Sequence, residues 1–216
     1  MTYNRVQIKD RPKNFQYDVS EKYDSYINAQ YIYNMYYKEP NNKPLFIATQ
    51  APTQKSYGHF WRMVWQENTR IILMLCQKIP EHCVENDRYY FPENEQALYY
   101  SDLVVEFKHL DEENSFVKKR TIKITNKVNK EARIITHYAV DGWPDLSIPS
   151  DSNFQDFKNM IEDIIQKRDE KEEKLGKQVK SPIVVHCRAG VGRTGTFIAI
   201  FEQVRLIKTY QKYFKP

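Results

Sequence analysis

The sequence predicts an α/β (α+β) domain with a mixed central sheet flanked by helices. Short β-branched and apolar runs alternate with segments whose apolar residues recur at helical spacing. Hydrophobic residues make up 41% of the 216 positions, and 16 Tyr and 11 Phe provide enough apolar area to cover a sizeable sheet. A chain of this length fits one domain over residues 1–216.

The first half of the chain predicts a helix followed by strands. SYGHFWRMVWQEN is helical, and its apolar face is formed by Tyr57, Phe60, Trp61, Val64 and Trp65. The run RIILMLC at 70–76 is apolar throughout, as in a strand buried on both faces. Three strand-rich segments follow, at about residues 97–108, 115–126 and 132–140.

The second half predicts a helix, a strand and a last helix. After possible caps at Ser150 and Asp151, helical spacing is seen at Phe154, Phe157, Met160, Ile161, Ile164 and Ile165. The mixed-charge run at 167–180 indicates a solvated helix end and a linker. PIVVH at 182–186 predicts a strand, and helical spacing resumes from about Gly192 at Phe197, Ile198, Phe201, Val204 and Ile207.

Composition excludes several classes of protein. The net charge of +5 fits either an anionic substrate or simple solubility, and no nucleic-acid recognition motif is present. Cys76, Cys83 and Cys187 lack metal-ligand spacing, and such a sparse, odd set indicates a reducing compartment. No apolar run approaches the roughly 18 residues of a membrane span, so a cytoplasmic location is expected.

The stretch SPIVVHCRAGVGRTGTFIAI joins the predicted strand to the last helix through a glycine-rich loop. Loop amides at a helix N-terminus converge and favour an anion. Gly190, Gly192 and Gly195 spell the dinucleotide fingerprint G-x-G-x-x-G. That fingerprint requires an acidic residue about 20 positions later on a second strand, whereas Glu202 lies within the helix. A dinucleotide site is therefore disfavoured.

The second possible anion site places a thiol at the centre of the loop. Cys187 and Arg193 have the spacing C-x5-R, so one loop can surround a tetrahedral phosphate with the sulfur below and the guanidinium clamping two oxygens. The helix N-terminus, amides and arginine should lower the thiol pKa well below about 8.5. The competing interpretation is a buried structural cysteine beside a turn.

HCRAGVGRTG resembles the signature loop of the protein tyrosine phosphatases of the non-receptor type. Further blocks resemble that family in the same order: YINAQYI at 26–32, TQAPT at 49–53, HFWRMVW at 59–65 and WPD at 143–145. They cover most of the chain and imply a highly twisted mixed sheet. The chain also resembles the solitary phosphatases of insect polydnaviruses, which implies a role in modulating a host.

The resemblance implies hydrolysis of phosphotyrosine in signalling proteins through a phosphocysteine, with no metal or other cofactor. Cys187 would be the nucleophile, and Arg193 would bind the phosphoryl oxygens. The other substrate-binding loop residues would be Arg188, Ala189, Gly190, Val191 and Gly192. Thr194 would hydrogen-bond the sulfur, and His186 would orient the loop and support the thiolate.

The WPD block implies a general acid on a closing loop. Asp145 would protonate the phenolate, because a leaving group of pKa about 10 departs poorly without a proton. A turn carboxylate after Pro144 is the alternative. Trp143 and Pro144 would serve as hinge and anchor. Glu81 aligns with the family glutamate that pairs with the signature arginine, although a surface glutamate explains it nearly as well.

Three departures from the family pattern stand out. Val6 replaces the tyrosine that stacks on the substrate ring, which puts phosphotyrosine specificity in question. The residues 146–149, LSIP, replace a glycine before Val-Pro and would stiffen loop closure. The chain starts late and stops at Pro216, without the family's last helices and glutamine motif. We therefore expect a domain truncated at both ends, with fast formation and slow hydrolysis of the phosphocysteine.

Two functions from different classes remain open at this point. One is an active cysteine-dependent tyrosine phosphatase, and the other is a catalytically impaired phosphotyrosine-binding module that sequesters phosphoproteins. Intact Cys187, Arg193 and Asp145 favour the enzyme, whereas the missing end favours the binding module.

Overall fold

A computed structural model describes residues 5–8, 26–36, 43–83, 89–94, 96–114, 116–174 and 181–213. The strands in these ranges are β1 (Arg5–Gln7), β2 (Tyr26–Ile32), β3 (Phe46–Gln50), β4 (Ile71–Met74), β5 (Leu98–Tyr100), β6 (Leu103–Glu113), β7 (Val117–Asn126), β8 (Ala132–Val140) and β9 (Ile183–Cys187). The helices are α1 (Tyr57–Gln66), α2 (Phe154–Lys174) and α3 (Gly192–Tyr213). The strands form one sheet in the order β1-β2-β3-β9-β4-β8-β7-β6-β5, which confirms the predicted mixed sheet.

The centre of the sheet is parallel and its two wings are antiparallel. Strands β3, β9, β4 and β8 run in the same direction, and the remaining pairs are antiparallel. Both β4 and β9 are buried at every position, as the continuous apolar sequence of β4 predicts. The carboxyl ends of β3, β9 and β4 therefore meet at one edge of the sheet, where Gln50 pairs with Cys187 and Met74 with His186.

The sheet separates two hydrophobic cores. Helix α1 covers one face, where Phe60 and Trp61 pack with β4 residues such as Ile72. Helices α2 and α3 cover the other face, where Phe157 and Phe197 pack together, with ring centroids 6.3 Å apart. Among the helices in the described ranges, none is long and apolar enough to cross a membrane.

The structure adds detail to two of the predicted elements. The strand-rich segment predicted at about 97–108 contains β5 and the first part of β6, and the chain turns between them at Ser101, whose φ is 56°. Ser150 forms no side-chain cap, and a 3₁₀ turn at Asp151–Asn153 leads into α2 instead. The expected helix end reaches Lys174, and residues 175–180 of the expected linker lie outside the described residues.

Candidate active site

The nucleophile loop, residues 187–193, begins at the last residue of β9 and ends in the first turn of α3. The thiol of Cys187 lies at its base and is 3% exposed. Burial by itself would raise the pKa of this thiol. Hydrogen bonds from the Thr194 hydroxyl and from the amides of Thr194, Gly190 and Val191 outweigh burial and hold the pKa below its ordinary value. The loop therefore favours a thiolate.

Thr194 supplies the side-chain hydrogen bond to this sulfur. Its hydroxyl is buried and has no oxygen or nitrogen partner within the described ranges, so the sulfur of Cys187 is the acceptor it faces. A donor at this position stabilises negative charge on the sulfur.

Gly190 allows the loop to pack closely against the end of β3. Its φ is +76°, and a Cβ atom there would lie 2.5 Å from the backbone carbonyl of Thr49. The amide of Ala51 donates to the carbonyl of Arg188 at 3.1 Å and closes the same contact. Gly192, by contrast, has no atom of the described residues outside its own helix and chain neighbours within 4 Å of its Cβ position. Gly190, unlike Gly192, is thus sterically required.

Arg193 connects the nucleophile loop to the acid loop, residues 143–149. The guanidinium is 8% exposed, with Nη2 2.8 Å from Oδ1 of Asp145 and Nη1 donating to the Trp143 carbonyl at 2.8 Å. Nε of Arg193 has no partner in the described part of the chain. The Asp145 carboxylate thus occupies an anion position on the guanidinium, beside a donor that is still available to a ligand.

The acid loop is anchored at one end and exposed at its tip. Trp143 is buried against Phe157, with ring centroids 5.5 Å apart, and its Nε1 donates to the carbonyl of Ser147 at 2.8 Å. Pro144 lies on the exposed tip, and Leu146 has a φ of +55° with a fully exposed side chain. Trp143 therefore acts as the anchor of the loop.

A cavity of about 440 Å³ joins these groups. Its lining includes Glu81, Trp143, Pro144, Asp145, Arg188 and Arg193. Glu81 lies on a 3₁₀ turn at Pro80–His82 and, within the described ranges, forms no ion pair with Arg193, which pairs with Asp145 instead. The structure thus places Glu81 at the site without the pairing that the sequence suggested.

His186 lies directly behind the nucleophile loop. It is fully buried, and burial lowers its pKa to about 4, so the imidazole is neutral at physiological pH. Its Nε2 lies 2.6 Å from the hydroxyl oxygen of Tyr90, and its Nδ1 lies 3.4 Å from the carbonyl oxygen of Cys187. Tyr90 was not predicted from the sequence, because it lies in a segment without periodicity and far from His186 along the chain.

Val6 does not line the substrate pocket, contrary to the sequence expectation. It is 2% exposed and belongs to the core on the α1 face, together with Ile8 and Ile27. Side chains alternate along β1, so Val6 points inward while Arg5 and Gln7 point outward. No stacking partner for a substrate ring can come from this position.

No cluster of three or more His, Cys, Asp or Glu side chains that could hold a metal ion occurs among the described residues. The cationic side chains that line the cavity are those of Lys78, Arg188 and Arg193.

The fold and the site define a class of domain in which a loop of amides and one arginine hold a phosphate-sized anion above a cysteine. The chain belongs to the protein-tyrosine phosphatase family, whose model matches residues 2–215. The chain is 35% identical over 229 residues to tyrosine-protein phosphatase 1 of Dictyostelium discoideum, covering 100% of this chain and 39% of that protein. It is 33% identical over 194 residues to tyrosine phosphatase H3 of Microplitis demolitor bracovirus, covering 89% and 57%.

Solved structures show the same fold. A structure from work on the PTPN18 fingerprint on distinct HER2 tyrosine phosphorylation sites matches with a TM-score of 0.70 at 25% identity, covering 96% of this chain and 65% of that one. PTPN18 in complex with HER2-pY1196 phosphopeptides matches with a TM-score of 0.67 at 27% identity, covering 87% and 58%. This chain therefore spans less than two thirds of each of these four relatives.

Proposed function

We propose that this protein hydrolyses phosphotyrosine in proteins through a phosphocysteine intermediate. The observation that carries the proposal is the buried Cys187 thiol, whose pKa is lowered by hydrogen bonds from the loop that also presents Arg193. Tyrosine phosphatases among the relatives, and PTPN18 bound to phosphotyrosine peptides, support the substrate class.

In the first step the Cys187 thiolate attacks phosphorus, forming a P–S bond while the bond to the phenolic oxygen breaks. Arg193 and the loop amides bind the non-bridging oxygens, whose charge is greatest in the transition state. The incoming phosphate must first displace the Asp145 carboxylate from Arg193, because both anions use the same guanidinium. The displaced Asp145 then takes up a proton from solvent and gives it to the departing phenolate.

In the second step water attacks the phosphocysteine, and the P–S bond breaks. Asp145 now accepts a proton from the water, and the Thr194 hydroxyl stabilises the departing thiolate. Inorganic phosphate then leaves, and after Asp145 has released this proton to solvent its carboxylate can return to Arg193.

Replacing Cys187 by serine tests the nucleophile. Purified Cys187→Ser protein should show no turnover of a small aryl phosphate and should retain phosphotyrosine-peptide binding, because the anion site survives without the thiolate. Release of phenol and calorimetric binding measure the two properties. Turnover of the variant at the parent rate would disprove the mechanism.

Replacing Asp145 by alanine tests the acid and its ion pair together. Turnover of a poor phenolic leaving group should fall by about 10²- to 10⁴-fold, the usual contribution of a positioned acid. Vanadate should bind more tightly than to the parent, because Arg193 no longer holds an internal carboxylate. A loss of the same size for acidic and weakly acidic phenols would assign Asp145 another role.

The proposed mechanism also favours a compartment in which thiols stay reduced. Cys76, Cys83 and Cys187 are all free thiols, and a nucleophilic thiol has to remain reduced. We therefore propose that the protein acts in the cytoplasm on phosphorylated signalling proteins. The likeness to a bracovirus phosphatase supports a role in modulating host signalling.

A further inference from the structure

A chain of buried hydrogen bonds continues from His186 away from the nucleophile loop. The hydroxyl oxygen of Tyr90, already bonded to His186, also lies 2.8 Å from Nε2 of His137. Nδ1 of His137 lies 3.4 Å from Nη1 of Arg120. The two histidines and Tyr90 are fully buried, and Arg120 is 4% exposed. Four polar side chains from separate parts of the sequence thus form one line that ends at Cys187.

Arg120 determines which group donates and which accepts in each of these hydrogen bonds. A guanidinium only donates hydrogen bonds, so Nδ1 of His137 has to accept. Burial, together with the charge on Arg120 and the neighbouring His186, holds the pKa of His137 well below its ordinary value. A neutral His137 that accepts at Nδ1 carries its proton on Nε2, which therefore donates to Tyr90.

The hydrogen bond between Tyr90 and His186 has the same donor-to-acceptor direction. Burial raises the pKa of Tyr90 well above its usual value, so the hydroxyl keeps its one proton. That hydroxyl accepts from His137, and its proton is left to donate to Nε2 of His186. His186 then holds its own proton on Nδ1, which donates to the Cys187 carbonyl.

The Cys187 carbonyl is where the chain affects the anion site. This oxygen shares a planar peptide unit with the amide of Arg188, and the two groups point in opposite directions. A hydrogen bond from His186 that holds the oxygen outward therefore turns the Arg188 amide towards the interior of the loop. A reversed chain would place the His186 proton on Nε2 and remove this tether.

We propose that Arg120 and His137 are positioning residues for the nucleophile loop, acting on Cys187 through Tyr90 and His186 by imposing one direction on the buried hydrogen bonds. The inference rests on the proposed function, because it concerns the same thiol. Arg120 is itself held by two neighbours: its guanidinium lies 4.8 Å from the centre of the Phe91 ring and 3.8 Å from the Glu93 carboxylate.

The test compares His137→Leu with His137→Gln. Leucine fills the space but cannot donate, whereas glutamine can donate to Tyr90 and accept from Arg120. The rate of alkylation of Cys187 by iodoacetamide is measured against pH, with Cys187→Ser protein reporting any reaction at Cys76 and Cys83. We expect the leucine variant to need a higher pH: at pH values well below the thiol pKa, alkylation should fall about tenfold for each unit by which that pKa rises. The glutamine variant should follow the parent.

Tyr138→Phe is the matched control on the same strand. Tyr138 is the next residue of β8, faces the other core and donates to Asp163 at 2.6 Å, so its loss removes a hydrogen bond without touching the chain. Its alkylation profile should match the parent. An equal shift in this control would reduce His137 to a packing role and overturn the proposal.

The outcome separates this inference from the proposed function. A parent protein without a reactive Cys187 below pH 7 would contradict the proposed function, whereas a reactive parent and an unshifted, folded His137→Leu variant would contradict only the positioning roles. If His137→Leu does not fold, Arg120→Met decides by the same profile. The Arg120→Met variant should need a higher pH for alkylation of Cys187. The Arg120→Lys variant, which keeps a hydrogen-bond donor, should follow the parent profile.

Discussion

The nucleophile loop can adopt its conformation because Gly190 has no side chain. Its left-handed backbone and its contact with Thr49 leave no room for a side chain, so the amides that face Cys187 depend on this glycine. Gly195, in the first turn of α3, has no atom within 4 Å of its Cβ position. Replacing these two glycines of the same motif by alanine should therefore have opposite effects on stability.

We expect Gly190→Ala to abolish tight vanadate binding and to destabilise the protein by about 1–3 kcal/mol, as an overpacked and strained position does. Gly195→Ala should retain binding and gain up to about 1 kcal/mol, because alanine is favoured within helices. Vanadate titration and urea unfolding of both variants measure the two effects. Tight vanadate binding by Gly190→Ala would show that the loop closes without a glycine there.

The acid loop is the element in which backbone conformation and chemistry are most closely coupled. Leu146 has a positive φ directly after Asp145, and the bond from Trp143 to Ser147 closes the turn around it. The fully exposed Leu146 side chain gains nothing from packing in this conformation. That residues 146–149 stiffen loop closure stays a prediction from the sequence.

Substitutions at Leu146 should separate backbone strain from packing. Isoleucine strongly resists a positive φ, whereas asparagine tolerates it. We expect Leu146→Ile to lower kcat for a poor leaving group by up to about tenfold, because the acid loop is displaced, and Leu146→Asn to match the parent. Steady-state kinetics with two phenols of different pKa measure this. Equal kcat values for the two variants would mean that the loop conformation does not limit the reaction.

On the scale of the whole molecule, two buried histidines lie on central strands of the sheet, on the face that α1 covers. His186 and His137 are fully buried on β9 and β8, at either side of β4. The pKa of His186 is lowered to about 4 and that of His137 lies well below 6.5, whereas both titrate near 6.5 in the unfolded chain. Folding therefore excludes protons that the unfolded state would bind.

The free energy of unfolding should consequently fall as the pH falls from 6.5 towards 4. In this window the unfolded state binds more protons than the folded state, so stability rises with pH, approaching roughly 1.4 kcal/mol per pH unit for each buried histidine. Urea unfolding at intervals between pH 5 and 7.5 measures the slope. His137→Gln should remove one histidine's share, and replacing Tyr138 by phenylalanine, which keeps both histidines, should leave the slope nearly unchanged. A slope unaffected by His137→Gln would contradict the assignment.

Local sequence alone predicted the nucleophile loop, because the residues that build it are consecutive. A buried strand ending at Cys187, a glycine-rich turn and a helix beginning near Gly192 bring thiol, amides and guanidinium together within one short segment. The fully apolar run that contains β4 similarly indicated a strand covered on both faces. Hydrophobic periodicity is a local property, so it identified these elements without knowledge of their neighbours.

Tertiary structure alone decided which distant side chains meet the loop. Asp145 reaches Arg193 only because Trp143 anchors the acid loop in the core. Tyr90 reaches His186 across 96 positions of sequence, and Val6 turns inward because the alternation of β1 places it there. Such contacts depend on strand order and on which face each side chain occupies. Neither property is encoded by the spacing of residues within one segment, since both arise when separate segments bury their apolar faces against each other.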